Sequence, residues 1–353
     1  MTQIVEELNK KKPEIDALIE SYFPRKQTLE SMKFWCGEPQ YEYDLKAVTK
    51  SVNEVIWNFL DRGGKRWRPA MFLMVLEAIG GKEKAEELKE FALVSEIVHN
   101  GTLLVDDIED SSEMRRGKPC THKIYGMDTT INTGNAMYFL PLLAFKKNRE
   151  KIDCNRLVDA YEAYAQEMIN VSMGQAMDIT WHKGIGDPTE KQYLQMCAFK
   201  TGCLARMSAK LAAILAGGTP KQVEACGRYA ETVGVAFQIQ DDLLDITSPE
   251  FAKKRRLGED IHEGKRTLVV IHAFKNSPKA NRLRKILDSH PEDKETISEA
   301  IQIMREAGSI KYAEKFAQEL VKDGWNQVNA VLPESEAKKK LESFSKYLIE
   351  RKN

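Results

Sequence analysis

Two short segments place carboxylates where they can bind a divalent cation: Asp106-Asp107-Ile108-Glu109-Asp110 and Asp241-Asp242-Leu243-Leu244-Asp245. In an α-helix residues i and i+4 share a face, so Asp106 pairs with Asp110 and Asp241 with Asp245. Apolar sequence precedes each pair, Leu103-Leu104-Val105 in one case and Phe237 and Ile239 in the other. Clustered carboxylates in such surroundings are costly unless cations neutralise them. Hard divalent ions take oxygen ligands, and magnesium commonly combines one or two carboxylates with water and phosphate oxygens. Two such pairs, about 135 residues apart, predict two or three Mg²⁺ ions holding one diphosphate. A lone acidic pair reads more readily as a solvated helix face; the metal reading rests on there being two, each with basic sequence to go with it.

That basic sequence is Gly63-Gly64-Lys65-Arg66-Trp67-Arg68-Pro69, Arg115-Arg116-Gly117, Lys200-Thr201-Gly202 and Gly264-Lys265. Arginine offers phosphate a bidentate fork and lysine a compact point charge. Lys65, Arg68, Arg115 and Arg116 adjoin glycine or proline, so they are expected at helix ends, where backbone N–H groups also favour anions.

The elements that must position these groups are helical. Apolar residues recur every three or four positions, and alternating strand-like runs are almost absent. Helices are predicted at about 3–21, 43–61, 69–79, 83–109, 129–147, 155–180, 189–216, 220–246, 264–275, 279–288, 292–307, 309–331 and 334–350. Asp187-Pro188-Thr189-Glu190 reads as a helix start, and Gly217-Gly218-Thr219-Pro220 as one end followed by another start. The expectation is an all-α, single-domain bundle spanning 1–353, of long antiparallel helices around a deep central cavity. Its motif-bearing core is about 43–275, and helices at 279–350 complete it.

Composition narrows the function. The 353 residues are 42% hydrophobic and 30% charged, with 53 basic against 53 acidic side chains. No net field recruits nucleic acid or an anionic membrane surface, so any anion site is local. Apolar runs such as Leu211 to Leu215 fall far short of the roughly 20 residues a membrane span needs. The acidic N-terminus lacks an apolar signal region, which predicts a soluble, cytoplasmic protein. Six cysteines without a C-x-x-C pair are expected to be free, buried thiols.

From about Gly63 to Phe274 the chain resembles the trans-prenyl diphosphate synthase family, and most nearly its geranylgeranyl diphosphate synthases of eukaryotic type. Six ordered blocks carry the likeness: 63–69, His99-Asn100 with the first aspartate motif and Arg115-Arg116-Gly117, Gly174-Gln175 followed by Asp178, Lys200-Thr201-Gly202, Phe237-Gln238 with the second motif, and Gly258-Glu259-Asp260 before Glu263-Gly264-Lys265. The resemblance implies that Asp106 and Asp110 ligate Mg²⁺ from one wall and Asp241, with Asp245 less directly, from the other. It assigns Arg115, Lys200 and Lys265 to an allylic diphosphate (dimethylallyl, geranyl or farnesyl) and Lys65, Arg68, His99 and Arg116 to isopentenyl diphosphate. It also implies a homodimer. Where the family often has a lysine ten residues before Lys265, this chain has Arg255, which becomes a further diphosphate candidate.

The chemistry this implies needs no nucleophilic triad, because the leaving group is already activated. Charge developing on a departing diphosphate is stabilised by metal ions and the Arg/Lys cluster. The allylic cation is then flanked by the dipoles of Lys200-Thr201 and the amide of Gln238, with the isopentenyl double bond held in reach. Gly101 and Thr102, small residues where the family places aromatics to close a shorter pocket, suggest a deeper tunnel and a twenty-carbon product; Ser95, Val98, Tyr138 and Phe139 are candidates for its floor. Gly101 has a second reading, as a site of close helix packing. The alternatives are a farnesyl or longer-chain synthase, a class I terpene cyclase, which lacks a second diphosphate clamp, and a non-catalytic regulatory synthase subunit.

Overall fold

The apolar periodicity resolves into helices throughout, so the chain is all-α as expected. The computed structural model describes residues 2–248 and 258–350. Among them, strand structure is confined to Met114–Arg115 and Lys118–Pro119, which pair antiparallel. Long patterns are matched closely: helices occupy Thr2–Tyr22, Cys154–His182, Pro220–Thr247 and Ser309–Asn329. The Pro220 helix starts where its punctuation predicts. Thr219 accepts from the Gln222 N–H, Gln222 accepts in return from the Thr219 N–H, and Pro220 needs no donor at the first position.

Several expectations are corrected. The helix Trp67–Glu87 is broken at Gly81 (φ 78°, ψ 175°), in the gap expected between 79 and 83, but the span 83–109 is itself divided: a 3₁₀ turn covers Lys89–Ala92, and a further helix runs Leu93–Glu109. Leu88 before the turn, Phe91 and Ala92 within it and Leu93 and Val94 after it are all buried. The span 189–216 is interrupted by a π-helical turn at Ala198–Gly202, and another such turn, Thr49–Asn53, lies inside the 43–61 span. The helix predicted from 264 begins only at Leu268, capped by Thr267. Leu29–Cys36 forms a helix the periodicity does not announce, started by a Thr28–Ser31 capping box. The six thiols are free, but Cys36 and Cys154 are exposed.

The chain packs as two compact units, Met1–Tyr161 with Leu211–Gly218, and Glu162–Lys210 with Thr219–Asn353. The first has its core in Ile19, Phe23, Ile56, Phe59, Phe72, Leu76, Phe91 and Phe145, all nearly inaccessible. Within it the 93–109 helix lies directly on the helix Met127–Phe139. A Cβ at Gly101 would fall 2.8 Å from the Met137 Cβ and 3.1 Å from the Gly134 carbonyl oxygen, and one at Gly134 would fall 2.7 Å from Val105. Two glycines thus permit the crossing. The second unit buries Tyr193, Ile239, Leu243, Leu268, Val269, Leu287, Ala300 and Ala313 in a continuous apolar cluster. No described helix is long and apolar enough to cross a membrane.

Candidate active site

In the first unit, the helix ending at Glu109 delivers the first aspartate motif. Asp110 still donates its N–H to the Asp106 carbonyl at 2.8 Å, so the i, i+4 relation between the two carboxylates survives the helix end. The chain then turns through Ser111 at φ 53° into the short hairpin, whose tip is Arg116 at φ 53° and Gly117 at φ 75°. Two successive positive φ angles are what a two-residue hairpin with right-handed twist requires. Arg115 and Arg116 therefore stand on a hairpin, not at a helix end as expected.

The hairpin aims Arg115 back at the motif. Its guanidinium contacts the buried Asp107 carboxylate at 2.5 and 2.6 Å and stands 3.7 Å from Asp106. Burial disfavours the Arg115 charge, but Asp107 and Asp106 outweigh it and raise its pKa. Burial also raises the Asp107 pKa against the pull of Arg115. The motif's carboxylates thus divide the work: Asp107 anchors the hairpin, while Asp106 and Asp110 stay on the shared face.

Arg116 donates to the Gly63 carbonyl at 2.5 Å and to Asn100 Oδ1 at 3.3 Å, joining the hairpin to the 63–66 loop. Arg66, at φ 48°, donates to Glu96 Oε1 at 2.9 Å and to Asp16 Oδ1 at 2.8 Å. Asn100 completes the network by donating to Glu96 Oε1 at 3.0 Å. Arg66 therefore fixes the loop, while Lys65 is exposed and Arg68 lies buried with its guanidinium 4.3 Å from the Trp67 ring centroid. A side chain at Gly64 would collide with Arg66 Nη1 at 2.8 Å. His99 is half-buried; burial first, then Arg68, Arg116, Arg115 and Arg66, pushes its pKa well below the usual value. At neutral pH it is an uncharged imidazole able to donate one N–H.

In the second unit, Lys200 and Thr201 lie on the π-helical turn Ala198–Gly202. Gly174 is pressed against the backbone of Phe199 and Lys200, and a Cβ at Gly234 would meet the Gly202 Cα at 2.7 Å. Glycines on two neighbouring helices thus seat the wider turn, a distortion common at functional sites. Lys200, Thr201, Gln238 and Lys265 line one pocket with Asp178 and Asp242. Lys200 Nζ lies 2.6 Å from Asp178, and Lys265 Nζ lies 2.5 Å from Glu263 and 3.8 Å from Asp260.

The second aspartate motif divides similarly. Asp241 is half-buried. Asp242 is buried and accepts from the Tyr193 hydroxyl at 2.7 Å and from Gln238 Nε2 at 2.8 Å; burial, then Asp260, pushes its pKa up. Asp245 accepts from the backbone N–H groups of Glu259 and Asp260, both at 3.2 Å, tying residues 258–260 to the helix end. Burial and Asp260 raise its pKa as well. With both oxygens accepting from the backbone, Asp245 has less to offer a cation than Asp241. Arg255 lies outside the described residues.

The donor set is carboxylate oxygen in both motifs, which suits a hard cation. Among the described residues no group of three His, Cys, Asp or Glu side chains forms a cage. Several contributors here carry no local sequence signal. Asp16, Glu96 and Tyr193 join the candidate residues through contacts 30 to 50 residues apart, and nothing in their own neighbourhoods marks them.

An all-α scaffold with two aspartate motifs, each accompanied by its own basic cluster, defines a class of enzyme acting on diphosphates. The chain belongs to the polyprenyl synthetase family, whose sequence pattern matches residues 49–304. It is 34% identical over 307 residues to the geranylfarnesyl diphosphate synthase of Natronomonas pharaonis, covering 83% of this chain and 87% of that one. A geranylgeranyl pyrophosphate synthase of Hypoxylon pulicicidum is 36% identical over 236 residues, 67% of this chain and 59% of that protein. The structure of geranylgeranyl pyrophosphate synthetase from Pyrococcus horikoshii aligns over 99% of both chains with a TM-score of 0.85 and 29% identity. The chain is a prenyl-transferring enzyme, a short-chain prenyl diphosphate synthase.

Proposed function

We propose that the enzyme condenses isopentenyl diphosphate with farnesyl diphosphate, or with the shorter geranyl and dimethylallyl diphosphates, to give geranylgeranyl diphosphate. Two sets of basic side chains carry this reading: Lys65, Arg68 and Arg116 with neutral His99, and Arg115 with Lys200 and Lys265. A cyclase that ionises one diphosphate has no use for both. Mg²⁺, in two or three ions, is assigned to Asp106, Asp110 and Asp241, with Asp245 contributing less; when bound it neutralises charge on the leaving diphosphate.

Arg115, Lys200 and Lys265 bind the allylic diphosphate. Each is held by a carboxylate and so presented in place. Lys65, Arg68, His99 and Arg116 bind isopentenyl diphosphate. The Thr201 hydroxyl oxygen and Gln238 Oε1, 2.8 Å apart, place negative dipole ends beside the developing allylic cation. The departed diphosphate then takes the proton lost from the new carbon skeleton.

The enzyme is further assigned to the cytoplasm and to a homodimer. Phe139 is 69% exposed, and the 154–182 helix exposes Val158, Ile169 and Met173 as an apolar stripe that a second copy can cover. Labelled isopentenyl diphosphate with Mg²⁺ tests the reaction. Twenty-carbon alcohols are expected after dephosphorylation; products ending at fifteen or exceeding twenty carbons overturn the chain length, and no incorporation overturns the synthase.

A further inference from the structure

We infer that Tyr193 is a positioning residue for the condensation, acting through Asp242 to set which end of the Gln238 amide meets the reacting carbon. The inference rests on the role proposed above for Gln238. Tyr193, on the helix Glu190–Cys197, is 1% exposed and packed into the core of its unit. Its hydroxyl donates to Asp242 Oδ2 at 2.7 Å, and Gln238 Nε2 donates to Asp242 Oδ1 at 2.8 Å. Gln238 Oε1 is thereby turned to Thr201, whose hydroxyl donates to it at 2.8 Å.

The order of these bonds matters because an amide has two unlike ends. With Nε2 committed to a fixed carboxylate, Gln238 presents its oxygen, the end that stabilises a cation. A flipped amide would present N–H groups and oppose the cation instead. Gln238 and Asp242 are one helical turn apart, which leaves the carboxylate free to rotate about its own side chain. The Tyr193 hydroxyl, arriving from a different helix, removes that freedom. Asp242 has a donor on each oxygen, so it orients its neighbours and is not the metal-facing member of its motif.

A double-mutant cycle tests this, with kcat, KM for both substrates and Tm measured for wild type, Tyr193→Phe, Gln238→Leu and the double variant. Tyr193→Phe keeps the buried ring and is expected to lower kcat about fivefold to twentyfold, the scale of one well-made hydrogen bond. KM is expected to stay within about twofold. In the Gln238→Leu background the same change is expected to cost less than about twofold, because the amide it orients is gone. Equal losses in both backgrounds, or full kcat in Tyr193→Phe, overturn the inference. Full kcat in Gln238→Leu overturns the role of Gln238 itself, a failure that the cycle separates from the other two. Should Tyr193→Phe not fold, Asp242→Asn runs the same cycle with the same expectations.

Discussion

Gly174 rests on the backbone of Lys200: a Cβ there would fall 2.8 Å from the Lys200 Cα and 2.7 Å from the Phe199 carbonyl carbon. Backbone cannot retreat as the tip of a flexible side chain can. Gly174→Ala is therefore expected to displace the π-helical turn, lowering stability by about 1–3 kcal/mol and kcat by at least about tenfold. Thermal melts and steady-state kinetics on one preparation check this. Full activity with a reduced Tm would show that the turn's position is not critical.

The assignment of Asp106 and Asp241 to the metal predicts that Asp106→Ala or Asp241→Ala lowers kcat by about 10²-fold or more while the apo protein still folds. Mg²⁺ with inorganic diphosphate is expected to raise the wild-type Tm and to leave that of the double variant unmoved. Removing divalent ions with EDTA is expected to abolish turnover, and adding Mg²⁺ back to restore it. An unchanged shift in the double variant would move the metal elsewhere.

Glu90 accepts from the Tyr22 hydroxyl, from Asn148 at 2.8 Å and from Lys147 at 3.0 Å. Burial opposes its charge, but these donors hold its pKa below the usual value. A carboxylate whose folded pKa is depressed contributes stability above its unfolded pKa, roughly 4.3, and loses it as pH falls through the folded value. Glu90→Gln is expected to cost about 1–3 kcal/mol at pH 7, and the difference from wild type should narrow as pH falls below about 4. A gap independent of pH would show that charge is not the source.

Gly101 touches Met137, Gly134 and Tyr138, so its lack of a side chain serves the crossing of two helices. Gly101→Ala is expected to lower stability by about 1–3 kcal/mol. Product analysis beside the melt separates this from control of chain length: an unchanged Tm with a shortened product would make Gly101 part of the tunnel wall alone.

The aspartate spacing, the basic blocks and the helical periodicity are local patterns, and local patterns are what a sequence displays. Helix existence and the helix starts at Thr189 and Thr219 were legible for that reason, and so were the residues proposed for metal and phosphate. The same locality explains the misses. Leu29–Cys36 is too short for its periodicity to stand out, and the break at Lys89–Ala92 carries no glycine or proline to mark it.

What the sequence by itself determined is the chemistry on offer: paired carboxylates on helix faces and cations near them. Only tertiary structure decided which carboxylate does what. Asp107 and Asp242 look like their neighbours in sequence, yet Arg115 claims one and Tyr193 the other, so both are drawn inward to orient the site. Asp106 and Asp241, less buried than those neighbours, are the members proposed for the metal. That distinction depends on partners brought together by helix crossings, and 49 residues separate Tyr193 from the carboxylate it holds.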